Sequence, residues 1–434
     1  MSSVAVGVVG IVILILLFTS RVPVAFAMGL MGFIGFSYLV SLSAGLDMIA
    51  LDLFEIFSSY NLTVVPLFVL MGCIAFRIGM SRRIFDASYV LLGGVRGGLA
   101  LASIMGSAAF AAICGSTNAT AAAMGTVALP QMKRYNYADS LATGCVASAG
   151  TLGILIPPSA LLIIYGIISE QSIGKLFIAG VIPGLILAFA FSGTVLMICW
   201  RKPELGPPGP ATKFYEKLKT LPALIEVGVL FALVLGGLMT GWFSATQAGG
   251  AGAASVLLLG LLRRDLTVER LVEASRDTLL ITCMVMFVLL GAILFGRFMA
   301  VSKIPFVLSG WIGGLALPPT LIIVLIIFLH LVGGCFMDGL AMIMLTVPIL
   351  LPTVVALGYD PIWFGIIITL IVEMGAITPP VGINVYVIKG ITPETPLQTI
   401  FKGIFPFLWA LVLVAILLTL FPKIVTFLPG LISY

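Results

Sequence analysis

Two stretches of this sequence place oxygen-bearing side chains beside glycine and proline breaks inside otherwise apolar runs. The first combines Gly115-Ser116-Thr117-Asn118-Ala119-Thr120 with Gly150-Thr151-Leu152-Gly153 and Pro157-Pro158-Ser159. The second combines Gly333-Gly334-Cys335-Phe336, Asp338 and Glu373-Met374-Gly375, followed by Thr378-Pro379-Pro380 and Asn384. Two consecutive prolines remove two amide donors and clash with the preceding turn, so nearby carbonyls lose their helical partners. Freed carbonyls beside Ser148 and Thr151 suit a hard cation such as Na⁺. The tip at 115–120 adds hydroxyl and amide oxygens and directs the positive end of the following helix inward, which favours an anionic group. In the second stretch Asp338 and Glu373 are ionisable at membrane depth, where such groups mark function by default. Either carboxylate balances a bound cation or is protonated and hydrogen-bonded, and Thr378 and Asn384 offer neutral oxygens. His330, the sole histidine, is a proton relay or a hydrogen-bonded packing residue. The plainer reading of both tips is that Ser and Thr cap helices while Gly and Ala permit close packing.

The elements that must hold these groups are membrane helices. The chain has 434 residues, 61% hydrophobic and 9% charged, against roughly 25% charged in a soluble domain. Its mean hydropathy is +1.25. The apolar runs give seven segments at about 4–19, 22–45, 62–80, 96–114, 117–131, 139–169 and 176–200. A polar linker, 201–221, follows with Pro203, Pro207, Pro208 and Pro210, and then come seven more segments to 432. Segment 117–131 is about 22 Å long as helix, too short for a core of about 30 Å. It is therefore expected to form a re-entrant hairpin, 96–131, with its neighbour, and 317–357 is expected to form a second. Segment 139–169 is about 46 Å as helix, too long for one straight span, with Pro157-Pro158 near its middle.

Removing the hairpins leaves an odd number of crossings per half, so the second half, 222–434, is predicted to be inverted relative to 1–200. Charge agrees with this arrangement. With the N-terminus outside, Arg21, Arg82, Arg83, Lys133, Arg134 and Lys213 fall with most other basic residues on the cytoplasmic side. Only Lys175, Arg297, Lys303 and Lys423 of the 22 Lys and Arg fall outside, a strong positive-inside bias. The halves also align as sequence. An offset of 222 residues carries Pro130 onto Pro352 and Gly153…Pro157-Pro158 onto Gly375…Pro379-Pro380. The predicted fold is thus an all-α polytopic membrane protein of two inverted repeats, about ten crossings and two re-entrant hairpins.

Several functions are disfavoured. No basic tract with interleaved aromatics points to nucleic acid. The six cysteines form no CxxC pair, so a transition-metal site is not expected. No phosphate-binding loop, HExxH or GxSxG occurs, which leaves ATP hydrolysis and the familiar protease chemistries unsupported. An intramembrane enzyme or pure scaffold is the remote alternative.

The stretch Gly115 to Gly184 resembles the large membrane subunit of tripartite ATP-independent periplasmic (TRAP) transporters, the DctM type. Gly115-Ser116, Gly150-Thr151-Leu152-Gly153…Pro157-Pro158 and Ile173-Gly174-Lys175-Leu176-Phe177-Ile178-Ala179-Gly180-Val181-Ile182-Pro183-Gly184 carry the resemblance there, and Met337-Asp338-Gly339 and Glu373-Met374-Gly375…Thr378-Pro379-Pro380-Val381-Gly382-Ile383-Asn384 carry it through the second half. It implies a scaffold and a mobile transport domain in the cytoplasmic (inner) membrane of a bacterium or archaeon, working by a Na⁺-driven elevator movement. It implies two Na⁺ sites: Ser116, Asn118, Gly150 and Gly153 in one, and Gly334, Asp338, Glu373 and Thr378 in the other. Substrate would sit between the tips, near Thr117, Pro157, Ser159, Pro379 and Asn384. The implied partners are a small four-helix membrane subunit, a periplasmic substrate-binding protein and an organic acid anion, such as a C4-dicarboxylate, sugar acid or sulfonate. No organic cofactor is implied. A stand-alone or proton-coupled carrier of the same fold is the nearer alternative, motivated by Asp338, Glu373 and His330.

Overall fold

The computed structural model describes residues 2–20, 22–209, 214–313 and 317–431. Arg21, Pro210 and Lys213, used in the topology reading, lie outside the described residues. The described residues are helices joined by short turns, with no strand among them. Helices satisfy their backbone polar groups internally, which an apolar environment requires. Eight of them are long and apolar enough to cross a membrane, and a bent pair, Asp139–Leu155 with Ala160–Ile168, makes a ninth at a 41° angle.

Two helix–turn–helix hairpins are present. The first joins Gly98–Cys114 to Thr117–Arg134. Its turn is Gly115-Ser116, where Gly115 has φ +64°, a left-handed conformation that glycine adopts without a Cβ penalty. The second joins Pro319–Phe336 to Gly339–Ala356. Its turn is Met337-Asp338, just after the Gly333-Gly334-Cys335-Phe336 stretch that separates the arms in the sequence reading, and it includes the Asp338 expected at the tip. Gly333 and Gly334 stay helical because they make room for neighbours rather than a turn: a Cβ at Gly334 would lie 2.9 Å from the Val372 carbonyl oxygen.

Each hairpin is followed by a helix that breaks at a proline pair. The first breaks between Leu155 and Ala160, after a kink at Thr151, and the second between Ile377 and Ile383. The Pro157–Pro158 and Pro379–Pro380 peptide bonds are both cis. Hairpins and broken helices pack on one another: Thr117–Arg134 lies on Asp139–Gly150, and Pro319–Phe336 on Pro361–Ile377.

A second group of helices, Val24–Leu39, Val64–Arg77, Ala245–Leu262 and Val268–Ser302, packs together beside them. Small residues let the backbones meet; a Cβ at Gly32 would come within 2.5 Å of the Phe295 amide nitrogen. Ion pairs fasten this group internally and to the adjoining helices Met80–Leu92 and Phe214–Met239. Arg77 bonds both Glu273 and Asp277 at 2.5 Å, Arg83 bonds Asp265 at 2.8 Å, and Arg263 pairs with Glu226.

Three helices lie where the sequence reading places none or only part of a segment. Leu42–Ser58 begins at Ser41, whose hydroxyl accepts from the Ala44 amide at 3.2 Å. Met80–Leu92 and Ile304–Gly313 are the others. Segment 22–45 accordingly divides, ending its first helix at Leu39. The linker is also shorter than expected, since a helix runs from Phe214 through Pro222 to Met239.

Candidate functional site

The turns of the two hairpins face a common cavity of about 400 Å³. Gly115, Ser116, Thr117 and Asn118 line it from the first turn, and Asp338, Gly339 and Leu340 from the second. Glu373 and Ile154 come from the broken helices, while Val69, Cys73, Asp277 and Met284 line the opposite wall from the second group of helices. The charged lining groups are Asp277, Asp338 and Glu373; no Lys, Arg or His lines the cavity among the described residues. Asp277 is paired with Arg77 from outside the cavity wall, and the other two carboxylates have no basic partner among the described residues.

The first turn is fixed to the first broken helix by backbone contact. The Ala160 amide donates to the Gly115 carbonyl at 3.2 Å. A Cβ at Gly153 would lie 2.6 Å from both the Ser116 carbonyl oxygen and the Thr120 hydroxyl, and one at Gly150 would meet Ala121 Cβ at 2.7 Å. Only glycine permits this approach. Around the same break three buried polar atoms lack a hydrogen-bond partner among the described residues: Thr120 Oγ1, Ser148 Oγ and Asn384 Oδ1. Asn384 reaches here from the second broken helix, its amide donating to the Ala147 carbonyl at 3.3 Å. A buried oxygen without a partner is costly.

The second turn differs in chemistry. Gly375 meets the other hairpin arm closely, with its Cβ position 2.8 Å from the Cys335 amide nitrogen. Asp338 caps the following arm, accepting from the Leu340 amide at 3.1 Å, as Ser116 caps its own arm through Ala119 at 3.5 Å. The Thr378 hydroxyl is spent on the Met374 carbonyl at 2.6 Å. Glu373 is 4% exposed and accepts a hydrogen bond from Thr117 Oγ1 at 2.7 Å.

Of the expected cation ligands, Ser116, Asn118, Asp338 and Glu373 therefore line the cavity. Gly150, Gly153 and Gly334 lie behind it as close-approach points, and Thr378 does not line it. Of the expected substrate contacts, Thr117 lines the cavity with its hydroxyl turned to Glu373. Ser159 is buried as a helix cap, accepting from the Leu162 amide at 3.3 Å. Pro157, Pro379 and Asn384 stand off the cavity. His330 is buried in the second hairpin, hydrogen-bonded to the Ile326 carbonyl at 2.8 Å and to Thr346 Oγ1 at 2.9 Å. The role of Asp277 had no sequence signal beyond its charge, because its place beside the cavity depends on the packing of distant helices.

The family model described as "Tripartite ATP-independent periplasmic transporter, DctM component" matches residues 11–424. The chain belongs to the DctM family of TRAP transporters. DctM relatives cover nearly all of it. The C4-dicarboxylate TRAP transporter large permease protein of Pseudomonas aeruginosa is 35% identical over 88% of this chain and 89% of its own length. The sialic acid TRAP transporter large permease protein of Vibrio cholerae is 31% identical over 92% and 93%. In fold, the chain is similar to the crystal structure of the YdaH transporter of Alcanivorax borkumensis. The TM-score is 0.60 at 16% identity, over 88% of this chain and 90% of that one. As a DctM component the chain is a multi-pass membrane permease and one part of a three-part transporter, not an enzyme.

Proposed function

We propose that this DctM chain imports an organic acid anion together with Na⁺, by an elevator movement of its hairpins and broken helices past the remaining helices. One observation carries the reading: the cavity between the turns holds Asp277, Asp338 and Glu373 and, among the described residues, no basic residue. An anion about 5 Å from an ionised carboxylate is repelled by about 3 kcal/mol at an effective dielectric of 20. Cations must accompany the anion to offset this. Neutral oxygens at Thr120, Ser148 and Asn384 with the Ser116 carbonyl would hold one Na⁺, and Asp338 with Glu373 would neutralise a second. Asn118 and the free amides at the start of each second arm would receive the anion's own oxygens.

The remaining expectations join this reading. The two halves are inverted repeats, the N-terminus faces outward, and the protein lies in the bacterial cytoplasmic membrane. A small four-helix subunit braces the static helices, and a soluble periplasmic protein delivers the substrate. The relatives named for C4-dicarboxylate and sialic acid differ in cargo at comparable identity, so the substrate is proposed only to class. Proton coupling is the competing reading, favoured by the burial of Glu373. Uptake by the reconstituted complex decides between them. A Na⁺ gradient should accelerate uptake at least tenfold. Equal uptake without Na⁺, driven by a proton gradient, would reject Na⁺ coupling.

A further inference from the structure

The Thr117–Glu373 hydrogen bond joins parts of the chain 256 residues apart. Thr117 is the first residue of the first hairpin's second arm, and Glu373 lies on the second broken helix. Both are 4% exposed, so neither is free to follow bulk water. The two oxygens of Glu373 have different neighbours. Oε2 accepts from the Thr117 hydroxyl at 2.7 Å, while Oε1 lies 3.6 Å from the position a Cβ would take on Gly339. Gly339 is the first helical residue after the second turn. One buried carboxylate thus bonds the residue that follows the first turn and lies beside the residue that follows the second.

We infer that Thr117 is a positioning residue: through Glu373 it forms a strut between the two hairpin turns, so that ordering one turn orders the other. A buried hydrogen bond to a carboxylate is among the stronger non-covalent links available, and a link between two binding regions is a coupling free energy that acts equally in both directions. The consequence for ion binding, that sites at the two turns fill cooperatively, rests on the Na⁺ reading given above. The mechanical link itself does not.

The test uses the purified full-length chain in lipid nanodiscs and the reconstituted complex. Thr117→Val keeps the shape of the side chain and removes the hydroxyl, Thr117→Ser keeps the hydroxyl, and Thr117→Ala serves if the valine variant does not fold. Amide hydrogen exchange at Gly339–Ala341 should be about tenfold faster in the valine or alanine variant and close to wild type in the serine variant. The Hill coefficient for Na⁺ in uptake should fall towards one in the valine or alanine variant. Exchange that changes only around residues 115–121, or a serine variant as fast as the valine variant, would overturn the strut. If wild-type uptake is independent of Na⁺, the ion reading fails by itself, and exchange at the second turn still decides the strut.

Discussion

At the scale of single residues, the site depends on what is missing as much as on what is present. Gly153 has no side chain, and that absence brings the Ser116 carbonyl and the Thr120 hydroxyl against the broken helix. Gly153→Ala should force the first turn away, costing about 1–3 kcal/mol of strain. Na⁺-dependent uptake should fall far more than the amount of folded protein recovered in detergent. A different residue reports on acid sensitivity at the surface. Glu394, in the loop after the second broken helix, accepts a hydrogen bond from Lys133 Nζ at 2.7 Å, which holds its carboxyl below the ordinary glutamate range. A carboxyl held low in the fold contributes stability that is full above the ordinary range and is lost as pH falls through the lowered value. Glu394→Gln should therefore melt slightly below wild type near neutral pH, and the two should converge as acidification carries the pH below the ordinary glutamate range. The glycines and prolines of the site were readable from sequence because their backbone effects are local. The pairing of Thr117 with Glu373 was not, since nothing in either neighbourhood encodes a partner 256 residues away.

At the scale of elements, each hairpin has to act as one piece although a two-residue turn is the only covalent link between its arms. In the second hairpin His330 supplies the cross-tie, bonding Ile326 on its own arm and Thr346 on the other. Thr346→Val should destabilise the protein by about 1–3 kcal/mol, because it leaves the buried His330 Nε2 without a partner, and His330→Leu should cost less, because Thr346 Oγ1 still donates to the Met342 carbonyl at 2.7 Å. The double variant should cost less than the sum, by about 0.5–3 kcal/mol, as measured by thermal unfolding in a fixed detergent. The hairpins themselves were legible from short arms and small turn residues, but the second turn falls at Met337-Asp338 because Gly334 is held helical against Val372 and Gly375. Helix Leu42–Ser58 was not legible as an element. Its Asp52 lies between the apolar segments at 22–45 and 62–80, yet it is 1% exposed and held by the Arg297 guanidinium through bonds of 2.7 and 2.5 Å. That partner lies 245 residues downstream, beyond the reach of any local pattern.

For the whole molecule, the proposed inversion of the halves makes a prediction about sides. In a background without native cysteines, Ser2→Cys and Glu204→Cys should react with an impermeant maleimide from opposite faces of sealed vesicles. Labelling of both from one face would reject the proposed topology. The all-helical architecture was legible because the bilayer demands long apolar runs, whereas which helices pack on which depends on contacts that composition does not encode.

The unbalanced charge of the cavity also has an electrical consequence under the elevator reading. On that reading Asp338 and Glu373 would travel with the hairpins and broken helices, while Asp277, paired with Arg77, would stay behind. Each moving carboxylate that remains ionised after unloading makes the empty carrier negative. A membrane potential, negative inside, then drives the empty carrier outward by about 2.3 kcal/mol per charge per 100 mV if it traverses the full field. The voltage would act on the return stroke, resetting the transporter for its next load.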